Sequence, residues 1–370
     1  MLIAGAGYPG QVMVCRYGGK GWPIDCPAPA YTADFTGSAI PTGWTFTRAA
    51  SSSISDQTQF DPATRTPVEY STANTPRFRT EGLVLETIRT NYALNSFAPV
   101  TGLSATLGIR GYQVSMQGAG SVLVEATGTA SSPDLPKTVT QAAPALIQTT
   151  VGGTIRLTPT GDVKRWQLEQ GNNVGQPINP STFIHTVAAA VSRNTESLYC
   201  QDAAWLQNNG YRASYVAEFI PLEWWTGGNF LMVTDKASAN NTEMDRIFGV
   251  NNAPAPNNPL LRSNTFSGGA GVSGNTPDFV VANAPVNVVT RVGMVCAPDK
   301  RYACMSGSDV GWVPIIPSGR PPVLNTFGFG AFPGVTGNMP MMILRKFWYW
   351  PQELLPHQLQ AVCNSGWPLP

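Results

Sequence analysis

The sequence predicts an all-β protein: two β-sandwich (jelly-roll-like) domains, preceded by an irregular N-terminal arm and ending in one short C-terminal helix. The first observation is composition, because 37 glycines and 32 prolines among 370 residues accompany only 12% charged residues, a balance typical of turn-rich β proteins. The second is the alternation of apolar and polar residues in runs such as YQVSMQG, SVLVEATG and TIRLTPTG, each closed by a turn. Strands with one apolar face must pack in pairs of sheets, so sandwiches are expected.

These patterns divide the chain into three parts. Residues 1–33 are rich in glycine, proline and aromatic residues without a helical period, which predicts an arm. Residues 34–198 hold short strands broken by Pro-Thr-Gly and Asp-Pro turns, followed by the clearest alternating runs, and predict the first sandwich. Residues 199–370 resume the strand pattern, with a hairpin loop at APDKRY, and predict the second.

The last strand and the helix that follows it have distinct apolar patterns. The run FWYW, Phe347–Trp350, places aromatic side chains on both faces of a strand, which predicts core on one side and a subunit interface on the other. The segment PQELLPHQLQAVCNSG has a proline start and a glycine stop and predicts the helix. The residues expected on its apolar face are Leu354, Leu355, Leu359 and Val362.

The charge balance excludes two classes of partner. Lysine and arginine number 23 against 22 acidic residues, and no run of like charge exists to bind nucleic acid or an anionic membrane surface. Apolar runs are too short for the roughly 20 residues that span a bilayer, and the start lacks the pattern of a signal peptide. No nucleic-acid partner, membrane insertion or standard export is therefore expected.

Three polar residues stand close together in the apolar stretch GLVLETIRTNYALNS: Glu86, Arg89 and Asn91. They would form either a small catalytic constellation or a structural polar knot where an extended segment docks between two sheets. The structural knot is favoured, because a buried Arg and Glu can satisfy each other and the backbone. Neither histidine has a visible acid–base partner, and the chain lacks the GxSxG, P-loop and HExxH motifs, so no enzyme is predicted.

The six cysteines show no CxxC pair and no histidine at ligand spacing, which argues against zinc. Cys15 and Cys26 flank a glycine-rich loop. They would either form a disulfide with each other or remain as two free thiols that act as small apolar side chains.

Three blocks of sequence, in this order, resemble a family of tailed-phage virion proteins. They are DFTGSAIPTGWTFTRAA from Asp34, NTPRFRTEGLVLETIRTNYALNS from Asn74, and WQLEQG leading to STFIHTVAAAVSR up to Arg193. His185 stands where the family pattern has proline, and the loop from Asn172 to Pro180 looks longer than usual. From about Tyr199 the chain resembles a concanavalin A-like (laminin G-like) jelly roll, through RVGMVCAPDKRYACMSG and its closing strand and helix.

The resemblance implies a virion component, often a homotrimer and often facing a surface glycan. Exposed aromatic residues would stack on sugars, and the candidates are Trp224, Trp225 and Trp312; burial at a sheet edge or subunit interface is the alternative. No cofactor is expected, although related jelly rolls sometimes bind calcium through loop oxygens. The candidate ligands are Asp235, Asn240, Asn241 and Asp245.

The resulting prediction is a non-enzymatic structural protein of a tailed-phage virion, assembled in the host cytoplasm. It would be a fibre or spike that attaches to host surface glycans, anchored to other virion proteins through residues 1–33. The alternative is a capsid decoration or head-fibre protein with no receptor role. A polysaccharide depolymerase is less favoured, because the long repeats of a β-helix are missing.

Overall fold

A computed structural model of the chain describes the following residues: 26–48, 57–60, 67–70, 76–86, 89–170, 181, 183–193, 195–201, 204–206, 212–223, 229–235, 244–250, 260–267, 270–271, 279–280, 286–297, 300–306, 311–314, 326–330 and 341–367. The fold is all-β, and α1 is the only α-helix in these ranges. No helix within them has the length and apolar character needed to cross a membrane.

The elements follow one another along the chain as β1 (Tyr31–Asp34), β2 (Thr45–Arg48), β3 (Gln57–Phe60), β4 (Pro67–Tyr70), β5 (Arg77–Arg79), β6 (Gly82–Leu85), β7 (Arg89–Asn91), β8 (Gly102–Leu103), β9 (Gly111–Gln117), β10 (Ser121–Glu125), β11 (Lys137–Val139), β12 (Ala145–Gln148), β13 (Arg156–Thr160), β14 (Arg165–Gln170), β15 (Val191–Arg193), β16 (Glu196–Gln201), a 3₁₀ turn (Ala204–Leu206), β17 (Ala213–Glu223), β18 (Asn229–Asp235), β19 (Met244–Val250), β20 (Leu260–Ser267), β21 (Ala270–Gly271), β22 (Phe279–Val280), β23 (Thr290–Cys296), β24 (Lys300–Met305), β25 (Gly311–Pro314), β26 (Thr326–Gly330), β27 (Met341–Trp350) and α1 (Pro356–Ser365).

Two eight-stranded antiparallel sheets form a large sandwich. The first large sheet has the order β25-β24-β23-β17-β27-β6-β5, with β1 also paired to β27. The second has the order β2-β16-β26-β18-β19-β20-β21, with β22 also paired to β20. Apolar side chains of both sheets meet in one core, as alternation along the strands requires. Its larger members include Phe35, Trp44, Leu85, Leu198, Phe219, Phe327, Phe329, Phe347 and Tyr349.

A small sandwich is built from residues between β6 and β16. Its five-stranded sheet has the order β12-β9-β14-β7-β15, and its four-stranded sheet has the order β11-β10-β13-β8. The three alternating runs named above form β9, β10 and β13. Their apolar faces enclose a separate core that includes Tyr112, Val114, Met116, Val122, Val124, Ile147, Leu157, Trp166 and Leu168.

This pairing divides the chain differently from the boundary that the sequence suggests at residue 198. β1 and β6 pair with β27, and β2 pairs with β16. Residues 34–48 and 77–85 therefore belong with the C-terminal strands, and residues 89–193 are inserted between β6 and β16. The suggested arm also ends earlier, because Tyr31–Asp34 is already a strand and the Pro27 carbonyl accepts a hydrogen bond from Trp350 Nε1 at 2.8 Å.

The FWYW run alternates as predicted. Phe347 and Tyr349 face the core between the two large sheets, and Trp348 and Trp350 face the opposite way. The second face is covered by α1 and not by another subunit, which corrects the expectation of an interface there. The strand is thus buried on both faces within one chain.

The helix forms where the sequence predicts it, with a later start. It begins at Pro356, which suits the first helical position because proline has no N–H to leave unpaired. Leu354, Leu359 and Val362 are buried against the first large sheet, as expected. Leu355 is 45% exposed, because it precedes the helix and does not share its apolar face.

Candidate functional site

The chain leaves the large sandwich at Glu86 and returns to it at Glu196. The N–H of Glu196 donates to the carbonyl oxygen of Glu86 at 2.9 Å, so the outgoing and returning segments lie side by side. The same two segments continue into β7 and β15, which pair in the small sandwich. The inserted domain is therefore joined to the large sandwich at one double crossing.

Four buried charged side chains close this crossing, and we call them the junction cluster: Arg77, Glu86, Arg193 and Glu196. Their side chains are at most 1% exposed. Arg77 Nη1 lies 2.5 Å from Glu86 Oε2, and Arg77 Nη2 donates to Glu196 Oε1. Arg193 Nη1 lies 2.9 Å from Glu86 Oε2, and Glu196 Oε2 accepts from the Glu86 N–H at 2.9 Å. Two positive and two negative groups offset one another.

The ionisation of Arg77 reflects this arrangement. Burial alone would lower the pKa of its guanidinium. The carboxylates of Glu196 and Glu86 raise that pKa by more than burial lowers it, so the net shift is upward. Arg77 therefore stays charged at any pH at which the protein is folded. A buried charge that is paired with two carboxylates fits a structural role better than a catalytic one.

The structure separates the three residues that the sequence groups together. Glu86 belongs to the junction cluster, whereas Arg89 Nη1 donates to the carbonyl oxygen of Gln170 at 3.0 Å. Asn91 donates to the carbonyl oxygen of Ile184 at 2.8 Å, and its Oδ1 accepts from two backbone N–H groups in the small sandwich. All three side chains are buried and bond to other parts of the protein. They do not form one group, because the double crossing pairs Glu86 with Arg77 and Arg193 instead of with Arg89.

A strap, formed by Ser181 and residues 183–186, crosses the outward side of the five-stranded sheet. Ser181 donates to the Glu169 carboxylate through its hydroxyl and through its N–H, the latter at 2.9 Å. Gln167 Oε1 accepts from the Ile184 N–H at 2.6 Å. These contacts explain why the blocks WQLEQG and STFIHT occur together, since the first supplies the groups that hold the second.

The outward side of this sheet is lined by polar side chains. On β9 the core side chains alternate with outward ones, and the register places Gln113 opposite Glu169, Ser115 opposite Gln167, and Gln117 opposite Arg165. We call this surface the polar face; it consists of Gln113, Ser115, Gln117, Arg165, Gln167 and Glu169. Four of these residues are buried, although they lie outside the apolar core.

One end of the polar face, beside the strap residue His185, is partly accessible, and we call it the open end. Ser115 Oγ and Gln117 Oε1 are buried there and have no hydrogen-bond partner within the described part of the chain. The Arg165 guanidinium lies 4.6 Å from the centre of the Phe97 ring, and His185 meets that ring edge-on at 4.9 Å. All but Ser115 are partly exposed. The open end thus combines hydroxyl, amide, cationic and aromatic groups.

Sequence reasoning does not identify this end as a site. The alternation in YQVSMQG shows which residues leave the core, but polar residues on that side are normally solvated. Only the pairing of β9 with β14 and the course of the strap show that the side is largely buried.

Of the three predicted sugar-stacking residues, Trp312 is the one that lies within the described part of the chain. Trp224 and Trp225 lie outside the described residues. Trp312 is on β25, the edge strand of the first large sheet, opposite Tyr302. Their role stays a prediction.

Two of the four predicted calcium ligands, Asp235 and Asp245, lie on the paired strands β18 and β19. Asp235 ends β18, and Asp245 pairs with Thr234 near the start of β19, so the two acids lie at the same end. Asn240 and Asn241 lie outside the described residues. Within the part of the chain that is described, no group of three His, Cys, Asp or Glu residues is arranged to hold a metal.

The suggested disulfide also stays a prediction. Cys15 lies outside the described residues. Cys26 is half-buried and packs against the apolar cluster under α1.

No family model and no curated protein matches the chain. Among solved structures, it is similar to the CBM40 of the Ruminococcus gnavus IT-sialidase bound to α2,3 sialyllactose, with 10% identity and a TM-score of 0.31 over 45% of this chain and 97% of that one. It is also similar to the Trypanosoma rangeli sialidase in complex with the inhibitor DANA, with 13% identity and a TM-score of 0.29 over 46% and 26% of the two chains. A third is the κ-carrageenase of Pseudoalteromonas carrageenovora with an oligotetrasaccharide, at 10% identity and a TM-score of 0.28 over 84% and 97%. These neighbours are a sialidase CBM and glycan-active enzymes, but the TM-scores are too low to carry any of their properties to this chain.

Proposed function

We propose that this protein is a non-enzymatic structural protein of a tailed-phage virion, a fibre or spike that attaches to host surface glycans through the open end of the polar face. The observation that carries glycan binding is the pair of buried oxygen atoms, Ser115 Oγ and Gln117 Oε1, that have no partner within the described part of the chain. Gln117 is the cross-strand partner of Arg165, whose guanidinium lies over the Phe97 ring.

The energetic argument starts from the cost of leaving these atoms unsatisfied. A buried polar group without a partner costs about 1–3 kcal/mol, so natural proteins rarely keep one unless something else satisfies it. Sugar hydroxyls both donate and accept hydrogen bonds, which suits a serine hydroxyl and an amide oxygen equally. An adjacent aromatic ring adds an apolar surface for the sugar ring.

The virion assignment comes from the sequence resemblance, and the structure adds support to it. The three blocks that carry the resemblance supply β2, the outgoing crossing at Glu86, and the strap with β15 and Arg193 of the junction cluster. They therefore mark one architecture, a small sandwich inserted into a large one. We propose that the part of the chain that precedes β1 binds other virion proteins, and we expect a homotrimer in which the small sandwich can contact a polysaccharide.

The test is a glycan array probed with the full chain and with Ser115→Ala. Removing an unpartnered buried hydroxyl should leave the melting temperature unchanged or higher, whereas affinity for the selected glycan should fall about tenfold, the loss of one good hydrogen bond. The matched control is Ser104→Ala. Ser104 Oγ donates to Ala105 O and accepts from the Ile155 N–H, so this change should lower stability and spare glycan affinity.

Other outcomes would redirect the assignment. An array without a selective signal, together with labelled antibody spread over the particle head, would reject the adhesin and leave a capsid decoration protein. Release of reducing ends from host polysaccharide would instead establish a depolymerase. Light scattering of the purified chain tests the homotrimer directly.

A further inference from the structure

Two cysteines meet under the C-terminal helix. Cys363 lies on α1 and Cys304 on β24, both are present as thiols, and each is at most 1% exposed. Cys363 Sγ donates to the carbonyl oxygen of Cys304 at 3.6 Å. Ser306 Oγ donates to the carbonyl oxygen of Cys363 at 2.8 Å. Two separate contacts therefore hold the same short segments together.

A glycine provides the space in which the Cys363 thiol lies. Gly293 on β23 is the cross-strand partner of Cys304. A Cβ atom on Gly293 would approach Cys363 Sγ to 2.9 Å and Leu359 Cδ1 to 2.6 Å. The Cys363 thiol therefore lies above the residue paired with Cys304. The glycine lets the helix approach the sheet closely enough for Cys363 Sγ to reach the carbonyl oxygen of Cys304.

We infer that Cys304 and Cys363 form an intramolecular disulfide that fastens α1 to β24 when the protein enters an oxidising medium. The inference concerns the large sandwich and is independent of glycan binding. Burial and the neighbouring Cys304 thiol raise the pKa of Cys363, so the reduced pair is unreactive while α1 is docked. Oxidation then requires local opening of α1.

The oxidant we assign is a low-molecular-weight disulfide such as oxidised glutathione. The Cys363 thiolate attacks one sulfur of that disulfide, which breaks its S–S bond and releases one glutathione thiolate. The Cys304 thiolate then attacks the Cys363 sulfur of the mixed disulfide and releases the second glutathione. The protein dithiol loses two electrons, the oxidant gains them, and the two thiol protons pass to the two released glutathione molecules.

The experiment equilibrates the full chain in glutathione buffers from fully reduced to fully oxidised, blocks remaining thiols with N-ethylmaleimide, and maps the peptides by mass spectrometry. We expect a peptide pair joined through residues 304 and 363 that increases with the oxidised share. Amide hydrogen exchange of α1 should slow by about tenfold or more in the oxidised protein, because the covalent link suppresses local opening.

Two variants test the assignment of the disulfide, one that removes it and one that serves as a control. Cys304→Ser should abolish both the joined peptide and the slower exchange of α1. Cys200→Ala removes a different buried thiol and should change neither. Recovery of Cys304 and Cys363 as separate blocked peptides from the fully oxidised wild-type protein would overturn the inference, as would Cys363 recovered only as its glutathione adduct. Because this peptide map uses wild-type protein, it decides the matter even if a variant does not fold.

Discussion

Among single residues, the junction cluster has the strongest consequences for stability. Glu86 accepts from two guanidinium groups inside the protein. Glu86→Gln keeps the shape of the side chain but leaves Arg77 and Arg193 with one carboxylate fewer. Because the uncompensated charge is buried, we expect a loss of about 3–5 kcal/mol in the free energy of unfolding, measured by urea denaturation.

The control for this change is Glu81→Gln. Glu81 is partly exposed and accepts one surface hydrogen bond from Thr80, so its replacement should change stability by less than about 0.5 kcal/mol. A similarly small change for Glu86→Gln would mean that the cluster contributes nothing specific to the crossing.

Cys200 gives the large sandwich a predictable response to alkaline pH. Burial in the core raises the pKa of its thiol to about 12 from an ordinary value of 9.0. Below pH 9 the thiol keeps its proton in both states, whereas above it only the folded state does, so stability falls as pH rises towards 12. The free energy of unfolding should therefore decrease with pH, and we expect Cys200→Ala to make this decrease less steep by up to about 1.4 kcal/mol per pH unit. The measurement is urea denaturation at a series of pH values between 9 and 11.

Leu198→Ala is the matched control, because it opens a cavity on the same strand without removing a titrating group. It should lower the free energy of unfolding by the same amount at every pH between 9 and 11, so the dependence of that free energy on pH stays as in the wild-type protein. Tyr349, whose pKa burial also raises to about 12, leaves some slope in both variants. An unchanged slope in Cys200→Ala would show that the thiol is ionised in the folded state.

At the scale of elements, the attachment of β6 to β27 depends on one glycine. Gly82 has φ +151°, and a Cβ atom there would lie 2.2 Å from the carbonyl oxygen of Leu344. Gly82→Ala should therefore cost about 3 kcal/mol and speed hydrogen exchange along β6. Gly37→Ala, where no heavy atom lies within 4 Å of the added carbon, should have almost no effect. Equal effects of the two changes would contradict this account.

The strands and the helix could be predicted from local pattern, but their partners could not. Alternation along YQVSMQG identifies β9, and the proline and glycine signals identify α1, because those patterns act over neighbouring residues. The pairing of Leu83 with Leu344 leaves no local signal. The same limit applies to the site: Glu86 is recognisable as a buried acid in an apolar stretch, while Arg193 becomes its partner only through the double crossing.

For the whole molecule, the double crossing makes the small sandwich an insertion whose two ends are adjacent. An inserted domain of this kind is tolerated when it has its own core and its termini lie close together. The small sandwich meets both conditions, since its apolar cluster contains no residue of the large one and the Glu86 carbonyl receives the Glu196 N–H. Among the described residues, the ion pairs of the junction cluster lie at this boundary.

The last prediction compares two fragments. Residues 88–194 should fold alone and unfold cooperatively, because they contain both sheets of the small sandwich. Residues 34–198, which match the boundary suggested by the sequence, add β2, β5 and β6 without β27, the partner of β6, and without most of β16, the partner of β2. This fragment therefore exposes Phe35, Trp44, Leu83 and Leu85. We expect this longer fragment to aggregate. Fluorescence of Trp166, the only tryptophan in the shorter fragment, follows its unfolding, and a gradual change without a transition would show that the small sandwich depends on the large one to fold.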